Sequence, residues 1–364
     1  MLQSIQGLRA IAALLVVFVH VTIVFGYSKS FGAMPLGGFW MWGSHGVDLF
    51  FVISGFIMGC VARDAFMHQR GAQQFLASRV IRIFLPYWPV LAAILVVHIA
   101  LPQFWATRDL TAWSTIVRSA LLLPGTDGVL PVAWTLEHEM TFYAILFLVL
   151  AHRAVGVSVF IAWQVGSVVM GFFDPVRTFT MVPVDLEFSM GLLAAELFQR
   201  RATIPHPLAT LVCGIVLFVV RGLWETYIGA FNDVGFVSVA TYGMASMMIV
   251  VGAVFAERMG LLRTPGALLA LGNASYAIYL VHFQVIAVFA GVLRKVGLNL
   301  PQWITPLGIA VAAAAILAGY FYHSFIERPL LTFGRRLTMS RSVGRKSALG
   351  NVMPPSQLPP AAGP

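Results

Sequence analysis

Charge is scarce in this chain. Of its 364 residues 23 are Lys or Arg and 14 are Asp or Glu. The charged share is 10%, against about 25% in ordinary soluble domains, so a freely soluble fold is excluded. Cysteine is nearly absent as well. Cys60 and Cys213 both fall inside apolar runs, which excludes a disulfide framework and offers no metal-ligand spacing. Internal repeats of the kind that build transporters are also missing.

What fills the space is apolar residue: 59% of the chain is hydrophobic and its mean hydropathy is +0.86. A bilayer core takes about 20 apolar residues per helical span. That ruler predicts an all-α, polytopic integral membrane protein with about ten transmembrane helices, near 8 to 25, 45 to 62, 82 to 101, 134 to 151, 154 to 172, 180 to 199, 205 to 221, 235 to 256, 268 to 290 and 304 to 326. The first run is read as a true span rather than a cleavable signal, because His20 interrupts it and no clean small-x-small site follows.

Basic residues set the orientation. Sixteen of the 23 fall on the side of the N-terminus and seven on the other, so the positive-inside rule puts both termini in the cytoplasm. The net charge of +9 therefore reports membrane topology and contact with lipid headgroups; nucleic acid is not an expected partner. Residues 102 to 133 make the longest outer connection, and "WSTIVRSALLLPG" within it is too short to cross, so an interfacial or re-entrant piece is expected. The membrane-embedded domain is read as 1–330, and the basic, then Pro-rich segment 331–364 as a disordered cytoplasmic tail.

Against so apolar a background, each ionisable residue in a span is a candidate for function. In "GLRAIAALLVVFVH" Arg9 and His20 are 11 residues apart. At about 100° per residue they share one helix face, about 16 Å apart along the axis. Arg9 can snorkel to the interface, whereas His20 lies too deep to do so. A neutral imidazole is the cheapest buried group that still accepts a proton near neutral pH. "HGVDLFFVISGFIMG" carries His45 and Asp48 and then a GxxxG, Gly55 and Gly59, that predicts a close helix contact. In "SRVIRIFLPYWPV" Arg79 and Arg82 are three apart and share a face at the cytoplasmic start of a span, where they serve either positive-inside topology or the capture of a phosphorylated donor. Pro86 and Pro89 then distort that helix. "WTLEHEMTFY" groups Glu137, His138 and Glu139 beside Trp134 and Tyr143, which predicts a polar pocket on the outer face. "VPVDLEFSMGLLAAE" adds Asp185, Glu187 and Glu196, "SYAIYLVHF" sets His282 seven residues after Ser275 on nearly the same face, and "FIERP" places Glu327 beside Arg328 as a cytoplasmic ion pair.

In this order and spacing, the motifs resemble the acyltransferase 3 family of integral membrane acyltransferases, which includes bacterial polysaccharide O-acetyltransferases of the succinoglycan type and Nod-factor-modifying enzymes. The likeness covers essentially residues 1 to 330 and is to members without an extra C-terminal hydrolase-like domain. The resemblance implies that Arg9, His20 and Glu139 are catalytic and that Arg79 and Arg82, the family's RxxR, meet the acyl-CoA donor. Thr135 replaces the Ser usual in the WSLxxExxFY pattern. Asp48, Glu187 and His282 are candidate acceptor or supporting groups. It further implies a bacterial cytoplasmic (inner) membrane location, acyl-CoA with acetyl as the default as co-substrate, no bound cofactor, no metal, and a carbohydrate or glycolipid acceptor. His20 would take the proton of the acceptor hydroxyl, with Glu139 orienting the imidazole or the acceptor; a covalent acyl-enzyme fits the residues equally well. Buried His, Asp and Glu also suit a transporter or flippase for a glycan or lipid-linked precursor, against which stand the missing inverted repeat and the Arg79/Arg82 pair.

Overall fold

A computed structural model describes residues 2–336, apart from 28–29, 68–70, 101–109, 111, 126–127, 174–180, 230–234 and 299–300. Eleven helices carry the fold: α1 Gln3–Gly26, α2 Gly46–Met67, α3 Ala72–Ala100, α4 Trp113–Leu121, α5 Trp134–Ala151, α6 Arg153–Phe173, α7 Leu186–Gln199, α8 Pro207–Tyr227, α9 Phe236–Arg258, α10 Gly266–Lys295 and α11 Ile304–Tyr322. Nine helical stretches among the described residues are long and apolar enough to cross a bilayer. The span expected at 180 to 199 is the exception. Its helix, α7, has 14 residues, about 21 Å at 1.5 Å per residue, against a hydrocarbon core of about 30 Å. The helix starts late because Pro183–Asp185 forms a 3-10 turn in which the Asp185 carboxylate accepts the Val182 N–H at 2.9 Å.

Helix α1 lies at the centre, against α2, α9, α10 and α11. Its N-terminus is held from another helix: the Glu257 carboxylate of α9 accepts from the backbone N–H groups of Gln3 and Ser4, both at 2.8 Å, and from the Ser4 hydroxyl. These are donors that a helix start leaves unpaired, and the negative charge suits the positive end of the helix dipole.

The expected GxxxG contact is present. Helices α2 and α7 meet backbone to backbone at Gly55 and Gly191: a Cβ on Gly55 would sit 2.3 Å from the Phe188 carbonyl oxygen, and one on Gly191 would sit 2.1 Å from that of Val52. Gly59 faces Ala195 one turn on. In the outer connection α4 is a nine-residue helix, as its sequence requires, and it is tied to α3 by Tyr87 and Trp88, which donate to the carbonyls of Ser119 and Ala120 at 2.8 and 2.9 Å. Part of that connection lies outside the described residues, as does the tail beyond residue 336. Helix continues through Arg336.

The ion pair expected between Glu327 and Arg328 is not formed. Residues His323–Glu327 make a π-helical turn that brings Glu327 inward, where its carboxylate accepts from His323 Nδ1 at 2.7 Å while Arg328 stays exposed. Around the prolines of α3, Tyr276 and Tyr322 donate to the carbonyls of Ile83 and Pro86 at 2.8 and 2.6 Å. Helices α10 and α11 are thus tied to α3 beside its two prolines.

Candidate active site

A cavity of about 490 Å³ opens between α1, α2, α3, α5 and α10. Three arginines from two helices reach it: Arg9 from α1, and Arg79 and Arg82 from α3. The i,i+3 spacing turns Arg79 and Arg82 to one face of α3, and that face borders the same cavity as Arg9 on α1. Arg9 is buried rather than snorkelling. It feels the positive charge of Arg82 and the negative charges of Glu139 and Glu327. Three guanidiniums around one cavity make an anion site with planar forks suited to phosphate.

Glu139 stands on the same cavity. Its Oε1 accepts from the Ser54 hydroxyl at 2.8 Å and from the Tyr143 hydroxyl, one turn further along α5. Two donors on one oxygen fix the carboxylate and leave Oε2 free of them. The remaining walls are mostly apolar, with Phe50, Phe51, Ile57, Met58 and Leu136 among them, and the polar groups end at Thr135 and Tyr279, whose hydroxyls bond each other at 2.8 Å.

His20 does not line this cavity, and it does not meet Glu139. Its partner is His282. His20 Nδ1 lies 2.8 Å from the Val16 carbonyl oxygen and 3.2 Å from His282 Nε2, and His282 Nδ1 lies 3.1 Å from the Ile278 carbonyl oxygen. A carbonyl oxygen only accepts, so in the neutral rings both Nδ1 atoms carry the proton. His282 Nε2 then accepts from His20, and His20 Nε2 keeps its lone pair. The Tyr279 ring is 5.7 Å from that of His282. One side-chain layer therefore separates the imidazole pair from the cavity.

The other sequence candidates go elsewhere. Asp48 accepts from His45 Nδ1 at 3.1 Å, and His45 Nε2 donates to Glu225 at 2.9 Å, in a buried network that also holds Arg221, Ser238 and Tyr242. The buried Glu187 carboxyl faces Asp48. Neither Asp48 nor Glu187 reaches the cavity. The outer polar pocket expected from Glu137, His138 and Glu139 is also not formed, because three successive helical residues point about 100° apart. Glu137 accepts from the Gly125 N–H at 3.3 Å, His138 donates through Nδ1 to Asp185 at 2.7 Å, and Glu139 alone joins the arginines. Sequence reasoning missed Ser54 as a holder of Glu139 and placed Tyr143 on the wrong face; the i,i+4 spacing of Glu139 and Tyr143 was the available signal.

Comparisons with known proteins point to one family. The family model of the type 3 "Acyltransferase domain" matches residues 2–324. The chain is 32% identical over 324 residues to the exopolysaccharide production protein ExoZ of Rhizobium meliloti, covering 84% of this chain and 95% of that protein. It is 27% identical over 371 residues to the acyltransferase MdmB of Streptomyces mycarofaciens, covering 92% and 93%. No solved structure matches it.

Proposed function

Since this chain belongs to the type 3 acyltransferase family and is a multi-pass membrane acyltransferase, we propose that it moves an acyl group, with acetyl as the default, from cytoplasmic acyl-CoA to a hydroxyl of a carbohydrate acceptor such as an exopolysaccharide or other cell-surface glycan. The observation that carries this reading is the single cavity joining Arg9, Arg79 and Arg82 to Glu139 and ending beside the His20–His282 pair. The arginines suit the phosphates of the donor nucleotide, and the apolar shaft suits its long thioester arm. The name of the Rhizobium meliloti relative supports a glycan as acceptor. The reading includes a bacterial inner-membrane location, and the positive-inside count supports the arginines lying at its cytoplasmic side.

In the step proposed, the acceptor oxygen attacks the thioester carbonyl carbon while His20 Nε2 removes the hydroxyl proton, a role typically worth about 10²- to 10⁴-fold in rate. Collapse of the tetrahedral adduct breaks the carbon–sulfur bond, forms the ester and expels the CoA thiolate, which takes up the proton. The Val16 carbonyl and His282, both acceptors at Nδ1, hold His20 in the tautomer that leaves Nε2 free. Glu139, fixed by Ser54 and Tyr143, balances the arginine charge. Tyr279 has to shift for the thioester to meet the imidazole.

The test uses inverted membrane vesicles supplied with labelled acetyl-CoA, comparing the wild type with His20→Ala. Label in the glycan and glycolipid fraction, lost in a variant that still inserts and folds, supports the reading and identifies the acceptor. Equal transfer by both removes His20 from the mechanism. No transfer by either, with any acyl-CoA tried, overturns the donor assignment.

A further inference from the structure

Six hydroxyl-bearing residues line the cavity, and five of them are hydrogen-bonded within the protein. Ser54 and Tyr143 donate to Glu139, Tyr276 to the Ile83 carbonyl, and Thr135 and Tyr279 bond each other and the Val132 carbonyl. Ser275 is the exception. It is fully buried, it lines the cavity, and its Oγ has no hydrogen-bond partner among the described residues. A serine within a helix has an easy alternative, a bond to the carbonyl four residues back, and Ser275 does not take it. Leaving a buried hydroxyl unpaired costs about 1–3 kcal/mol, and such a group calls for a partner not yet in place.

Its position narrows what that partner is. Ser275 stands seven residues before His282 on α10, so the two share a face about 10 Å apart along the axis. The reacting carbonyl has to lie next to the nucleophile at His20, about 3 Å away for a productive approach. That is two helical turns beyond Ser275. The group beside Ser275 is therefore the part of the donor behind the thioester, in the stretch between the arginines and the imidazoles. We propose that Ser275 is a binding residue for the acyl donor, donating its hydroxyl hydrogen to an amide carbonyl oxygen of the pantetheine arm. This assignment rests on the acyl-CoA reading above. A nucleophilic role does not fit, because a serine nucleophile needs a base within hydrogen-bond reach and the Ser275 hydroxyl has no hydrogen-bond partner among the described residues.

The experiment measures equilibrium binding of two ligands, acetyl-CoA and 3′,5′-ADP, to the full-length protein in lipid nanodiscs. The second ligand has the nucleotide phosphates and lacks the arm. Ser275→Ala is expected to weaken acetyl-CoA about tenfold, as loss of one hydrogen bond of about 1.4 kcal/mol would, and to leave 3′,5′-ADP unchanged. Its melting temperature in the absence of ligand is expected to stay at or above that of the wild type, since the hydroxyl removed satisfies nothing in the empty protein. Unchanged affinity for acetyl-CoA overturns the assignment, as does an equal loss for both ligands, which would mark a general disturbance of the site. An acyl ester found on Ser275 by mass spectrometry after exposure to acetyl-CoA would replace binding with covalent catalysis. If the wild type binds 3′,5′-ADP but not acetyl-CoA, or neither, the donor reading itself falls and the role of Ser275 with it.

Discussion

His282 Nε2 lies 3.2 Å from His20 Nδ1, and the carbonyls of Ile278 and Val16 dictate which ring donates to which. Two buried imidazoles in contact are usually a liability, since both cannot be charged. Here the pair gives His20 one defined tautomer. Replacing His282 with Ala removes one of the two acceptors at His20 Nδ1 and leaves the Val16 carbonyl alone to hold the ring. The expected result is a fall in turnover of about tenfold or more, the effect of a hydrogen bond of about 1–2 kcal/mol, with little change in KM for acetyl-CoA. Steady-state transfer assays on both parameters check it.

Arg79→Lys and Arg82→Lys keep the positive charge but lose the planar fork. If the arginines hold phosphates, each variant raises KM for acetyl-CoA about tenfold, with a smaller change in kcat, and each Gln variant raises it further. Donor affinity of the wild type is expected to fall as salt rises from about 0.05 to 0.5 M, because an exposed part of the site is screened. Binding titrations across that range decide it.

Ser54 and Tyr143 both donate to Glu139 Oε1. Removing one donor leaves the other, so Ser54→Ala and Tyr143→Phe are each expected to cost less than tenfold in activity. The double variant should cost more than the product of the two. A double-mutant cycle with a coupling of about 0.5–3 kcal/mol is the expected signature of residues sharing one network, and strict additivity would show that they act separately.

The α2–α7 contact is sharper still. A Cβ at Gly191 would lie 2.1 Å from the Val52 carbonyl oxygen and 2.7 Å from the Gly55 Cα. Because both neighbours are backbone, no side chain can move aside, and Gly191→Ala is expected to destabilise by at least the 1–3 kcal/mol typical of overpacking. Thermal melts followed by size-exclusion chromatography would show it as a loss of several degrees.

Much of this layout was legible beforehand for a simple reason. A charged or imidazole group in a span stands out against an apolar background, so Arg9, His20, Arg79, Arg82, Glu139 and His282 could all be picked from the chain. The three-residue spacing of Arg79 and Arg82 also gave their shared face. What could not be read was pairing across helices. Arg9 and His20 share a face of α1, yet one reaches the cavity and the other packs on α10, because the cavity ends between their depths. Asp48 and Glu187 stood out equally, but Asp48 is tied through His45 to Glu225, 180 residues beyond His45, and nothing local points to that link. Glu137, His138 and Glu139 were read as a group because they are adjacent, although helical geometry sends neighbours apart. The short α7 escaped notice because hydropathy does not register the turn at Pro183–Asp185.

The glycine contact between α2 and α7 has a mechanical consequence. With no side chain between the two backbones there is nothing to compress, and the pair behaves as a single stiff beam. Ser54 rides on that beam, so one anchor of Glu139 is set by it. The opposite wall is built differently: α3 carries Pro86 and Pro89 and is tied to its neighbours there by single tyrosine hydroxyls, from α10 and the end of α11. One wall of the cavity is therefore set by backbone contact and the other by two hydrogen bonds.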